Sequence, residues 1–143
     1  PRDRQARRRL RLFQSPEGRG RRKKLIEWYQ WVLKWGREEK TLLEIQEATG
    51  ITPQGLAEKP TLSGDLVGVW GAYNLLNSSR LITEAGPGPI PLTEIKAYLD
   101  IAKIDDVESR LYVVRVVRTL DNMYLEHYAE RARQSNPKVG QTK

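Results

Sequence analysis

The chain has 143 residues, which is enough for one domain with a continuous core and flexible ends. It contains no cysteine, so disulfides and thiolate metal sites are excluded. No stretch reaches the roughly 18 to 20 apolar residues of a membrane span, and no apolar segment follows the basic start as a signal peptide requires. The composition therefore predicts a soluble protein that is neither secreted nor embedded in a membrane.

The positive charge is concentrated at the N-terminus. The formal net charge is +7, and the first 24 residues alone carry +9, which leaves −2 for the other residues. A free basic segment repels itself and stays extended until it meets a polyanion. We therefore predict a disordered basic arm over residues 1–21. The predicted polyanion-binding residues are Arg7, Arg8, Arg9, Arg11, Arg21, Arg22, Lys23 and Lys24. Nucleic acid or an acidic protein surface would suit them, and a solubilising tail without a ligand is the alternative.

The first helix is predicted to begin near Arg22, because Ser15, Pro16, Gly18 and Gly20 form a cluster of helix breakers before it. Apolar residues then recur at steps of three and four residues up to Gly36, which is typical of an amphipathic helix. This stripe contains Trp28, Trp31 and Trp35. We interpret the three tryptophans as a core or interface seam and predict that they bind a partner; an interfacial membrane helix is the alternative.

Two further helices are predicted in the first half of the chain. One runs from about Glu38 to Ala48, with Leu42, Leu43 and Ile45 as its apolar members, and a short turn of helix follows Pro53. This pair weakly resembles a helix-turn-helix, with Gln54 as its sole obvious base reader. The next helix follows Ser63, and its Trp70 and Tyr73 are predicted to lie in the core, Trp70 beside Leu111 and Val114.

The second half contains a loop and two more helices. Residues 85–91 are rich in proline and glycine, which predicts a stiff loop that is neither helix nor central strand. A helix follows from about Thr93, and the longest helix is predicted to start at Asp105 or Asp106. Its predicted spine is formed by Val107, Leu111, Val114, Val117, Leu120 and Tyr124. Residues 134–143 lack periodicity and are predicted to be a flexible tail.

These patterns together predict an all-α protein, a compact bundle of about five helices over residues 22–133, without any strand. The chain has one histidine, His127, near the end of the last helix and without a second metal-ligating imidazole or thiolate nearby. Adjacent acidic residues point apart on a helix, and no serine or threonine has a base arranged beside it. We therefore predict no enzymatic activity, no metal and no cofactor.

One stretch resembles a known family. The residues that carry the resemblance are Pro60-Thr61-Leu62, Leu66-Val67-Gly68-Val69-Trp70, Leu75 to Arg80, Gly88-Pro89-Ile90-Pro91-Leu92-Thr93-Glu94-Ile95, Tyr98-Leu99, Leu120-Asp121 and Tyr124-Leu125. This is similar to the tail assembly chaperone family of long-tailed bacteriophages, in the short helical form encoded between the tail tube and tape measure genes. The resemblance covers roughly residues 50–128, and its most specific element is the Gly-Pro-Ile-Pro loop.

The resemblance implies a protein without catalytic activity that holds the tape measure protein and recruits tail tube subunits in the host cytoplasm. The tryptophan stripe would then bind a tape measure segment or a second copy of the chain. Two alternatives stay open: a nucleic-acid-binding helical protein that uses its arginine-rich arm, and a structural subunit of the virion at the tail or neck. Steep salt dependence would indicate the first of these.

Overall fold

The computed structural model describes the backbone of residues 16–136 and the side chains from Arg19 onward. Arg7, Arg8, Arg9 and Arg11, most of the predicted basic arm and most of the predicted C-terminal tail lie outside the described residues. All structural statements below refer to the described part of the chain.

Six helices and one short hairpin make up this part, which confirms the predicted all-α class. The helices are α1 (Pro16–Trp35), α2 (Glu39–Thr49), α3 (Gln54–Ala57), α4 (Gly64–Ser78), α5 (Leu92–Ile101) and α6 (Val107–Ser135). The hairpin consists of β1 (Ile82–Thr83) and β2 (Gly86–Pro87). The chain separates into two compact units whose boundary falls inside α4, between Gly68 and Val69. The sequence had predicted one domain over residues 22–133.

The start of α1 corrects the predicted boundary. The helix begins at Pro16, about one and a half turns before Arg22, so the predicted helix breakers do not separate it from the arm. Proline fits the first position of a helix, because the N–H that it lacks has no partner there and its φ is already helical. The two glycines that follow lower helix propensity by roughly 1 kcal/mol each.

The first unit contains α1, α2 and α3. The helix α2 ends at Gly50, whose φ of 68° and N–H bonded to the Gln46 carbonyl form a left-handed cap. None of the residues of α2 is buried, and its predicted apolar members Leu43 and Ile45 are exposed. The helix α3 has only four residues, too few for a recognition helix, and the Gln54 amide donates a hydrogen bond to Glu58. The interpretation as a helix-turn-helix is therefore wrong.

The second unit contains the hairpin, and it corrects the prediction that the chain has no strand. The two strands pair antiparallel, Ile82 with Pro87 and Thr83 with Gly86. Gly86 has a φ of 108°, which only glycine adopts without strain and which closes the turn. The short loop then continues to Pro91, directly before α5.

The last helix begins as the sequence predicts, because the Asp106 carboxylate accepts a hydrogen bond from the Ser109 N–H at 2.8 Å. Its buried face differs from the predicted spine. Val117 and Leu120 are buried as predicted, whereas Val107 and Leu111 are exposed. The buried residues of α6 are Ser109, Val113, Val116, Val117, Leu120 and Asp121. Two stripes at helical spacing run along α6, and spacing alone cannot tell which one packs.

The predicted core position of Trp70 also changes. Its indole is only partly buried and stacks at a tilt on Tyr73, with 5.8 Å between ring centroids, while Tyr73 is fully buried. Leu111, the predicted neighbour of Trp70, is about half exposed. Tyr73 rather than Trp70 is therefore the aromatic core residue of α4.

Candidate functional site

Trp31 is one of the three predicted partner-binding tryptophans, and it lies inside the first unit. Its side chain is 5% exposed, and its indole N–H donates a hydrogen bond to the Gly55 carbonyl at 2.7 Å. A Cβ on Gly55 would come within 2.9 Å of the Trp35 ring, so α3 packs closely on α1. Trp31 therefore ties α3 to α1, and the prediction that it presents a surface to a partner needs correction.

Trp28 and Trp35 are half-buried, and cations of the same chain cover their rings. The Lys59 ammonium lies 5.7 Å from the Trp28 ring centroid and 5.0 Å from that of Trp31, and it forms an ion pair with Glu39. The Lys34 ammonium lies 5.1 Å from the Trp35 ring. Such cation–π contacts are attractive and leave part of each ring accessible. The aromatic stripe is thus mainly an internal seam of the first unit.

The predicted polyanion-binding residues at the start of α1 are partly neutralised. Arg21 forms an ion pair with Asp65 at 2.9 Å, and Lys23 lies 3.8 Å from Glu27. Arg22 and Lys24 are exposed to solvent. The first turns of α1 therefore keep a positive surface, although it is weaker than the sequence count suggests.

A buried carboxylate organises the second unit. The Asp121 side chain is 1% exposed and forms an ion pair with Arg80, whose side chain is 2% exposed, at 2.6 Å. The guanidinium of Arg80 also donates to the Gly88 carbonyl at 2.6 Å and to the Asn77 side-chain oxygen, and it stacks 4.3 Å over the Tyr124 ring. Proteins tolerate buried charges when these are paired with an opposite charge and hydrogen-bonded, as they are here.

The same carboxylate anchors the Gly-Pro-Ile-Pro loop. Asp121 accepts a hydrogen bond from the Ile90 N–H at 3.0 Å. Arg118 lies 3.5 Å from Asp121 and donates to the Ile90 carbonyl at 2.6 Å. The loop is therefore attached at Gly88 to the Arg80 side chain, just after α4, and at the N–H and carbonyl of Ile90 to side chains of α6. The Ile90 side chain is itself buried.

This bracing holds an exposed apolar pair at the hairpin. Leu81 and Ile82 stand in solvent directly after Arg80, and the Ile82 side chain is 76% exposed. Gly86 on the facing strand lies against the Tyr128 ring, where a Cβ would approach to 2.9 Å. Apolar side chains on a rigid support bind partners with little ordering cost. We call Leu81 and Ile82 the hairpin pair.

Three exposed carboxylates have pKa values below their ordinary values. The pKa of Glu58 is lowered chiefly by a hydrogen bond from Gln54, that of Asp100 chiefly by one from Lys96, and that of Glu130 chiefly by one from Arg133. A general base near neutral pH requires a raised carboxyl pKa instead. Within residues 16–136, no three histidine or acidic side chains are grouped as a metal ion requires. The single histidine of the chain, His127, is partly buried.

None of the described helices combines the length and the apolar character that crossing a bilayer requires. The interfacial alternative for α1 loses its main support, because Trp31 is buried within the unit.

The sequence analysis did not predict the Asp121 network, although Arg80 and Asp121 are both among the residues that carry the family resemblance. One signal was available: Asp121 lies within the apolar repeat of the last helix. Because an unpaired charge there would be costly to bury, its position indicates a charged partner. Its partner could not be identified, because Arg80 is 41 residues away and many arginines compete for the role.

The Asp121 network and the hairpin pair lie within the part of the chain that matches a known family. A model of the family described as phage tail assembly chaperone matches residues 45–126. Comparisons with curated proteins and with solved structures gave no match. The matched residues include the hairpin pair, the Gly-Pro-Ile-Pro loop, Arg80 and Asp121, and they span more than half of the chain. The chain therefore belongs to the phage tail assembly chaperone family.

Proposed function

We propose that the protein binds the tape measure protein and recruits tail tube subunits to it during tail morphogenesis, without catalysis, in the host cytoplasm. The observation that carries this proposal is the hairpin pair, which is exposed on a braced loop inside the family match. The tape measure and tube proteins are the partners that the family resemblance implies. The hairpin pair offers an exposed apolar surface on which an assembly chaperone could bind a partner protein.

The rigidity of the support is the central argument. Leu81 follows Arg80 directly, and the loop after the hairpin is attached to Arg80 through Gly88 and to Asp121 and Arg118 through Ile90. A partner that covers Leu81 and Ile82 therefore gains their apolar burial, at roughly 25 cal/mol per Å², without first ordering a mobile loop. The half-buried rings of Trp28 and Trp35 are proposed as additional contacts for partner helices, and the positive start of α1 as an additional contact for polyanions.

The test compares two isoleucines of nearly equal exposure. Ile82→Ser removes an apolar group of the hairpin pair, and Ile51→Ser removes one that is 71% exposed in the first unit and has no bracing network. Each variant is co-expressed with the tape measure protein of the same phage, and the affinity of the purified proteins is measured by calorimetry. Ile82→Ser should weaken the affinity roughly tenfold, as expected for loss of a central apolar contact.

Equal affinities for the two variants and the unchanged protein would contradict a role for the hairpin. Absence of any binding to the tape measure protein, together with duplex DNA binding that weakens steeply with salt, would contradict the proposed function and favour the nucleic-acid alternative. Retention of the chain in purified virions would instead favour a structural subunit.

A further inference from the structure

The first three turns of α6 carry an apolar stripe whose residues are not among the buried residues of the helix. Val107, Leu111 and Val114 follow one another at steps of four and three residues and therefore share one face. Val107 is 70% and Leu111 49% exposed, and Val114 is half-buried. The buried face of the same helix is formed by other residues, among them Val113 and Val116. We call Val107, Leu111 and Val114 the α6 stripe.

The charges at the two ends of the α6 stripe have opposite signs. Asp105 and Glu108 are exposed at its N-terminal end. Arg115 is exposed at its C-terminal end, and Glu108 and Arg115 lie on the same flank because they are seven residues apart. Arg118 lies one turn further on and is 37% exposed. It shares Asp121 with Arg80, so two guanidinium groups face one carboxylate and a positive charge is left in excess.

We propose that the α6 stripe is a self-association site that pairs antiparallel with the α6 stripe of a second copy, about a two-fold axis near Leu111. A two-fold axis brings the same patch of both copies together, so a patch with an apolar centre and opposite charges at its ends complements itself. Glu108 of each copy would face Arg115 of the other. The antiparallel arrangement also places the helix dipoles favourably.

Other occupants fit this surface less well. Residues 1–15 contain six arginines and a single acidic residue, and residues 137–143 contain two lysines and no acidic residue. These segments could not match Arg115 and Arg118. A parallel arrangement of two copies would place like charges together at both ends. A second copy in the antiparallel orientation supplies both signs at the required positions.

The pairing should be weak and dependent on concentration. Three apolar residues per copy cannot bury the roughly 1,000 Å² that a stable interface requires, so a dissociation constant on the order of 10 μM to 1 mM is expected. Copies that sit side by side on one long partner have a high effective concentration, which would promote pairing there. This last step rests on the proposed function, whereas pairing of the isolated protein does not.

The first experiment measures self-association by sedimentation equilibrium, over total concentrations from about 10 μM to about 1 mM to bracket the expected range. The unchanged protein should shift from monomer toward dimer. Leu111→Glu places two carboxylates near the two-fold axis and should abolish the shift. Leu43→Glu is the matched control, because Leu43 is also a helical leucine with 49% exposure, and it should dimerise normally.

The second experiment uses charge reversal and does not depend on an apolar substitution. Glu108→Arg and Arg115→Glu should each weaken self-association, because each creates like-charge contacts in the homodimer. An equimolar mixture of the two variants should associate more tightly than either variant alone, since both interfacial contacts then become attractive. Circular dichroism of each variant verifies that the helices are retained.

A protein that stays monomeric throughout would overturn the proposal, as would dimerisation that Leu111→Glu leaves unchanged. A mixture that associates no better than the single variants would exclude the antiparallel arrangement. If the protein is monomeric and Leu111→Glu instead abolishes binding to the tape measure protein, the occupant is that partner and the second copy is excluded, while the proposed function stands.

Discussion

The two units of the chain are held together by different chemistry. In the first, which ends at Gly68, Trp31 reaches the Gly55 carbonyl and Lys59 lies over two indole rings. In the second, which begins at Val69, a carboxylate joins two guanidinium groups and a loop backbone. The apolar burial of the indole rings is non-directional. A buried ion network is directional, and it is costly when one partner is removed because the remaining charge is left unpaired.

The largest expected effect is therefore in the second unit, for Asp121→Ala. This change leaves the Arg80 guanidinium buried without its counterion and removes the acceptor of the Ile90 N–H. The free energy of unfolding, measured with urea and far-UV circular dichroism, should fall by about 3 to 5 kcal/mol. Asp100→Ala is the control, because Asp100 pairs with Lys96 and Arg110 at the surface, and the substitution should lower the free energy of unfolding much less. An equal loss of stability in the two variants would contradict the proposed difference between buried and exposed charges.

A smaller effect is expected in the first unit for Gly55→Ala. The new methyl group would lie 2.8 Å from a Leu42 methyl and 2.9 Å from the Trp35 ring, so α3 must move away from α1. Overpacking of this kind typically costs about 1 to 3 kcal/mol. Gly68→Ala is the control, since its methyl group meets no atom within 4 Å and the site is helical. If Gly55→Ala were as stable as the control, the contact between α3 and α1 would be looser than described.

Lys59→Gln tests the cation over the tryptophans and should have a still smaller effect. Loss of a partly exposed cation–π contact is expected to reduce the free energy of unfolding by about 0.5 to 1 kcal/mol. Fluorescence quenching by a neutral quencher should increase, because the rings of Trp28 and Trp31 lose their cover. Lys40→Gln removes a lysine that pairs only with the neighbouring Glu44 and should leave quenching unchanged. Identical quenching in both variants would show that Lys59 does not shield the rings.

The smallest effect is a pH dependence at the end of α5, where Asp100 lies. Hydrogen bonds from Lys96, and then from Arg110, hold the pKa of Asp100 below its ordinary value of 3.8. Because the pKa is lower in the folded state, the stabilisation is complete above pH 3.8 and is lost as the pH falls through the folded pKa. An NMR titration should show a larger rise of the Asp100 pKa in Lys96→Gln than in Arg110→Gln. A pKa that neither substitution changes would contradict this assignment.

Local signals predicted much of the architecture. The breaks at Gly36 and Gly50, the cap at Asp106 and the stiffness of the Gly-Pro-Ile-Pro region follow from residue chemistry that acts over a few positions. The start of α1 was missed because proline breaks a helix in its interior but is tolerated at its first position. The hairpin was missed because strands of two residues have no measurable alternation.

The candidate site depended much more on contacts that are distant in the sequence. The role of Asp121 requires Arg80 and Ile90, which lie 41 and 31 residues away, and no local pattern connects them. Trp31 was predicted to face a partner because its stripe looked apolar, yet the Gly55 carbonyl comes from a different helix and accounts for its N–H.

The sequence alone therefore determined the all-α class, most helix ends and the family, because helical periodicity, capping and motif residues are encoded over short distances. Only the tertiary structure decided which apolar stripe of α6 is buried, which tryptophan is enclosed and which arginine neutralises Asp121. Several residues satisfy each of these roles equally well by spacing and charge. The choice among them is made by packing and desolvation, which depend on all the elements that surround a side chain.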